Sequence, residues 1–118
     1  MANEISVSIG LYASKGGMKV QRSESKTITM TGDAITHEIQ EIGTTEEELA
    51  QGADLGTPGV VFVKNLDATN YVEVGCVTGQ YSIKLLAGES CIFRASAAAV
   101  YAKANTAACN VEYIILEL

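Results

Sequence analysis

The chain has 118 residues, 47% of them apolar, with 14 Asp and Glu against 8 Lys and Arg and a formal net charge of −6. That length suits one domain with its own core, and the core must be mostly aliphatic, because the chain has two Phe, five Tyr and no Trp. The basic residues are scattered from Lys15 to Lys103 without a run, which argues against nucleic acid and against an anionic membrane surface as partners.

The opening MANEISVSIG has neither the basic n-region nor the apolar h-region of a secretory signal. No apolar run approaches the roughly 18 residues a membrane span needs. Residues Met1–Glu4 are a candidate arm, free to reach a neighbour unless tied down. From Glu4 to Tyr12 the chain alternates Ile5, Val7, Ile9 and Leu11 with serine and glycine, the period of a strand with one buried face. SKGG at Ser14–Gly17 reads as a turn. MKV then begins a short strand, and KTITMT (26–31) forms another that ends at Gly32-Asp33. AITHEIQEI alternates less cleanly and is a weaker strand. In GTTEEELAQG (43–52), Thr44 stands three residues before Glu47, and Thr45 three before Glu48. Either pair can form a capping box, so one short helical turn is expected near residues 45–50.

After the loop that holds the single proline, Pro58, strand signals are nearly continuous: VVFVK, YVEVG, QYSIKLL, SCIFRA, AVYAKA and NVEYIILEL. About nine or ten strands, spaced roughly eight to twelve residues apart, predict an all-β sandwich or barrel of antiparallel strands. The expected organisation is one domain over residues 1–118. In the last strand Val111, Tyr113 and Ile115 share one face, and Ile114, Leu116 and Leu118 the other. A strand apolar on both faces is central in a sheet or is covered by another subunit.

The residues capable of chemistry have simpler explanations. Asn65, Asp67 and Asn70 could offer oxygens to Ca²⁺, but three side chains fall short of the six to eight it takes. Asp and Asn build turns by bonding their own backbone, so this stretch is expected to connect two antiparallel strands. His37 is the single histidine; no GxSxG elbow accompanies it, and ligands for a transition metal are lacking. Glu46, Glu47 and Glu48 sit too close together to flank a glycosidic bond. Cys76, Cys91 and Cys109 are odd in number and contain no CxxC pair. Buried reduced thiols are expected, with one disulfide and one free thiol as the alternative. No catalytic residue, metal or cofactor is expected. The Ala-rich stretch 95–108 is either a tightly packed corner or a flat contact surface.

Three runs, "TPGVVFVKNLDATNYVEVG", "YSIKLLAGESCIFRAS" and "VYAKANTAACNVEYIILEL", resemble a group of small virion proteins of tailed bacteriophages. The resemblance covers Thr57–Leu118, about half the chain. It implies an antiparallel β-sandwich of jelly-roll type and a non-enzymatic virion role, foremost as a capsid decoration (cement) protein. Such a protein is made in the host bacterial cytoplasm and binds the outer capsid surface as a dimer or trimer, so its implied partners are itself and the major capsid protein. The residues expected to carry self-association or docking are Tyr101, Tyr113, Ile114, Leu116 and Leu118. Two other roles remain open: a tail or fibre component, and a carbohydrate-binding β-sandwich using Tyr12, Tyr71, Tyr81, Tyr101 or Tyr113. A cupin-like enzyme would need several histidines.

Overall fold

The computed structural model describes residues 3–118 and divides the chain into two compact units, Met1–Thr31 and Gly32–Leu118. Every regular element among the described residues is a strand, ten in all.

The first unit is a hairpin of β1 (Ile5–Lys15) and β2 (Met18–Ile28), paired antiparallel from Ile5↔Ile28 to Lys15↔Met18. Gly16 and Gly17 join the strands, both at positive φ (57° and 83°). A two-residue turn of this kind matches the twist of its flanking strands and needs residues without a Cβ penalty. The separate strands expected at MKV and KTITMT are one strand here, and it stops at Ile28. The polar QRSES between them extends because every residue of it pairs with β1. Thr29 and Glu4 secure the open end: Thr29 Oγ1 accepts from Asn3 N, and Glu4 Oε1 from Met30 N. Of the expected arm, Met1 and Ala2 lie outside the described residues.

The second unit holds two four-stranded antiparallel sheets. One has the order β3 (Ile35–Ile42), β10 (Cys109–Glu117), β5 (Pro58–Asn65), β8 (Ser90–Arg94). The other has the order β4 (Glu47–Glu48), β9 (Tyr101–Ala104), β6 (Val72–Gly75), β7 (Ile83–Leu85). One core unites them. Val61, Val63, Val111, Tyr113 and Ile115 come from the first sheet, and Val72, Val74, Leu85, Ala102 and Ala104 from the second. The architecture is all-β and β-sandwich-like, as the alternation predicts.

One expectation is corrected and another refined. No helical turn forms at 45–50: Glu47 and Glu48 pair with Ala102 and Tyr101 of β9, and Leu49 N donates to Val100 O at 2.8 Å. Glu47 does reach back along the chain, but its Oε2 accepts from Gly43 N at 2.7 Å, one residue before the Thr44 N–H that a capping box would use. Burial of Leu49 and pairing with β9 outweigh a cap that has no apolar helix face behind it. The refinement concerns Asn65–Asn70. It connects two strands, as expected, but across sheets: it carries the chain from β5 in the first sheet to β6 in the second.

Candidate functional site

Asp67 builds that corner. Its Oδ2 accepts from Thr69 N at 2.9 Å and Asn70 N at 2.6 Å, and these bonds, the Asn70 one first, hold its carboxyl below the usual carboxylate range. Asn65 is fully buried. Its Nδ2 donates to Asn70 O and Leu85 O, and its Oδ1 accepts from Asp67 N. Asn65 Oδ1 and Asp67 Oδ2 are thus engaged by the chain's own backbone, and Asn70 Oδ1 accepts from the Thr106 hydroxyl at 2.9 Å.

Glu117 and Glu46 also bind backbone N–H groups. A register shift between Leu116 and Glu117 re-aims the end of β10. Glu117 Oε1 then accepts from Asp33 N and Ala34 N, and Oε2 from Gly56 N at 2.5 Å. A Cβ on Gly32 or Gly56 would occupy the space that carboxylate fills. The bonds from Ala34 and Gly56 lower the Glu117 pKa. Glu46 Oε1 accepts from the Tyr81 hydroxyl at 2.5 Å and Gly79 N at 2.7 Å. The bond to Glu46 pushes the Tyr81 phenol up to about 12, and the Glu46 carboxyl is lowered, by Tyr81 foremost.

The three cysteines are free thiols, and desolvation raises Cys91 and Cys109, the opposite of what a nucleophile needs. His37 Nε2 lies 2.8 Å from Glu112 Oε2 on an exposed sheet face. Among the described residues, no three His, Cys, Asp or Glu side chains gather as a metal site would require.

The surface of the two sheets differs more than any cluster within them. In antiparallel pairs, residues directly opposite share a face. The registers place Ile35, Leu116, Val60 and Arg94 in one row on the outer side of the first sheet. The next row is His37, Ile114, Phe62 and Ile92, and the third Ile39, Glu112, Lys64 and Ser90. This face is apolar at its centre, and Ile35 (59%), Ile39 (63%) and Ile92 (40%) stand exposed on it. The second sheet shows the row Lys84, Glu73, Lys103 on its outer side, with Lys84 Nζ 4.2 Å from the Tyr71 ring centroid. One sheet faces outward with aliphatic side chains, the other with alternating charge.

The hairpin repeats this asymmetry. One face carries Ile5, Val7, Ile9, Leu11 and Ala13 opposite Ile28, Lys26, Glu24, Arg22 and Val20; the other carries serines, Thr27, Gln21, Tyr12 and Lys19. Ile9, Leu11, Met18 and Val20 are exposed. Charge divides between the units. Residues up to Thr31 hold four Lys or Arg against two Glu, a net of +2; Gly32–Leu118 holds the other four against twelve Asp or Glu, a net of −8.

Of the residues expected to carry contacts, Ile114 and Leu116 lie together on the apolar outer face, both half-buried. Leu118 is half-buried, with its N–H on Thr57 O. Tyr101 sits apart, in the second sheet. Tyr113 belongs to the core: it is 1% exposed and its hydroxyl donates to Ala50 O at 2.7 Å. Its face of β10 turned out to be the inner one. Phe62 and the hairpin's apolar side also lie on outward faces outside that expected set, and GVVFVK, apolar at both parities, carried the signal of a strand with two covered faces. Compared with protein-family models, curated proteins and solved structures, the chain matches none of them.

Proposed function

We propose that the chain is a non-enzymatic structural subunit of a phage virion, a capsid decoration protein of jelly-roll type that binds the outer capsid surface and stabilises it through oligomeric contacts. The observation that carries this reading is the outer face of the β3-β10-β5-β8 sheet, aliphatic where the companion sheet is charged. A contiguous apolar patch rimmed by polar residues marks a protein contact surface. Carboxylates that satisfy backbone N–H groups, and thiols raised by burial, suit a building block better than a catalyst. The jelly-roll assignment draws support from strand order. Eight strands split into two sheets as first-eighth-third-sixth and second-seventh-fourth-fifth of the second unit, so successive strands repeatedly change sheets, as in double Greek-key sandwiches that include viral capsid domains.

The test is to mix purified protein with expanded, undecorated phage capsids and sediment them. Saturable co-sedimentation, with particles that resist heating better than bare ones, is the expected result. A protein that binds neither itself nor capsids overturns the reading. Labelling at the tail in electron micrographs replaces it with a tail or fibre role.

A further inference from the structure

We infer that the β1–β2 hairpin of one copy docks its apolar face on the outer face of the β3-β10-β5-β8 sheet of a second copy. The contact is a second copy of this chain, and it runs head to tail.

Three observations lead there. First, a lone two-stranded hairpin is marginal in water and needs a further apolar layer, yet both strands here run eleven residues. From Ser8 to Thr27 every hairpin residue is exposed, including Ile9, Leu11, Met18 and Val20. Second, the sheet offers a surface of matching kind, with Ile35 and Ile39 exposed beside Ile114 and Leu116. Third, charge selects the pairing. Within the hairpin's apolar face Lys26, Glu24 and Arg22 stand directly opposite Val7, Ile9 and Leu11, with Lys15 at the turn end; Glu24 is its one acid and is ion-paired with Arg22. The sheet face carries Glu41 and Glu112 together with Lys64 and Arg94, so its own charges balance, but it belongs to a unit of net charge −8. Two hairpin faces brought together would set net positive faces against each other, whereas hairpin on sheet brings a basic hairpin to a unit of net charge −8, which steers association.

A contact between two different surfaces is heterologous. It closes only as a ring and otherwise grows into an open chain. It also gives each copy one donor and one acceptor surface, which makes a complementation experiment decisive. The inference stands on these surfaces and does not depend on a capsid as partner, so its failure and that of the capsid reading are told apart.

The experiment measures mass in solution, by light scattering and sedimentation over a concentration range, for three full-length proteins. These are the unmodified chain, a hairpin variant (Leu11→Ser with Val20→Ser) and a sheet variant (Ile35→Ser with Ile39→Ser). The altered side chains are all more than half exposed, and circular dichroism checks that each variant is folded. If either double variant is not, the single changes Leu11→Ser and Ile39→Ser replace it. The unmodified chain is expected to form a closed oligomer. Each variant alone is expected to be monomeric, its association weakened about tenfold or more. An equimolar mixture of the two variants is expected to give a dimer, because one intact hairpin and one intact sheet face remain. A monomeric unmodified chain overturns the inference. So does loss of association in the hairpin variant alone, which would indicate hairpin-to-hairpin contact, or a mixture that stays monomeric.

Discussion

Glu117 shows how a single residue closes this fold. Its carboxylate gathers the N–H groups of Asp33, Ala34 and Gly56, tying the end of β10 to the entries of β3 and β5. Its pKa lies below the ordinary 4.5 because of those bonds, the one from Ala34 first. A carboxyl depressed on folding contributes stability that is present above its unfolded value and is lost as pH falls through its folded one. Glu117→Gln is therefore expected to lower Tm at neutral pH, and the gap from the unmodified protein to narrow as pH drops below about 4; thermal unfolding followed by circular dichroism across pH 2–7 checks this. A gap that stays constant would mean the charge is irrelevant. Asn65 is the other residue on which a corner depends. Asn65→Ala would leave Asn70 O and Leu85 O without their donor in a buried position, at a cost of about 3 kcal/mol. Asp67→Asn, which keeps an acceptor oxygen, should cost clearly less than Asn65→Ala. Urea unfolding of both variants separates the two expectations.

At the scale of elements, the segment around β4 separates local propensity from tertiary pairing. Thr44 and Thr45 are exposed, whereas Leu49 is fully buried. Thr44→Ala and Thr45→Ala are expected to change stability by less than about 0.5 kcal/mol, where a true helix cap would cost about 1. Leu49→Ala should cost about 3 kcal/mol. Equilibrium denaturation of the three variants gives the ordering. The strands were legible because alternation of apolar and polar residues follows directly from the pleat, and the Asp67 turn because Asx chemistry is local. The helical turn was misread for the same reason: the Thr–Glu spacing is a purely local signal, and Glu47 bonds Gly43 N rather than a threonine N–H, whereas pairing with β9 is set by residues more than fifty positions away. Tyr113 illustrates a second limit. Both parities of β10 are apolar, so the alternation located its two faces without deciding which one points inward. The inward face is the one on which Val111, Tyr113 and Ile115 pack against the second sheet, with the Tyr113 hydroxyl donating to Ala50 O.

Across the whole molecule, cohesion is unevenly distributed. The second unit encloses a continuous aliphatic core drawn from both of its sheets, with β10 and β5 paired on both sides. The first has one pair of strands, and among its described residues only Ile5 is buried. Backbone hydrogen bonds backed by few buried apolar contacts open most readily, so local stability should differ by unit. Amide hydrogen exchange at low protein concentration is expected to show β1 and β2 exchanging orders of magnitude faster than Val61, Val63, Val111 and Ile115. Raising the concentration adds a layer over the hairpin if another copy supplies it, and binding to the folded form alone stabilises by mass action. Protection in β1 and β2 should then rise with concentration while protection in β5 and β10 stays near its ceiling. Uniform protection at every concentration would mean that the hairpin is held as firmly as the core, and its exposed aliphatic face would then be no sign of a missing partner.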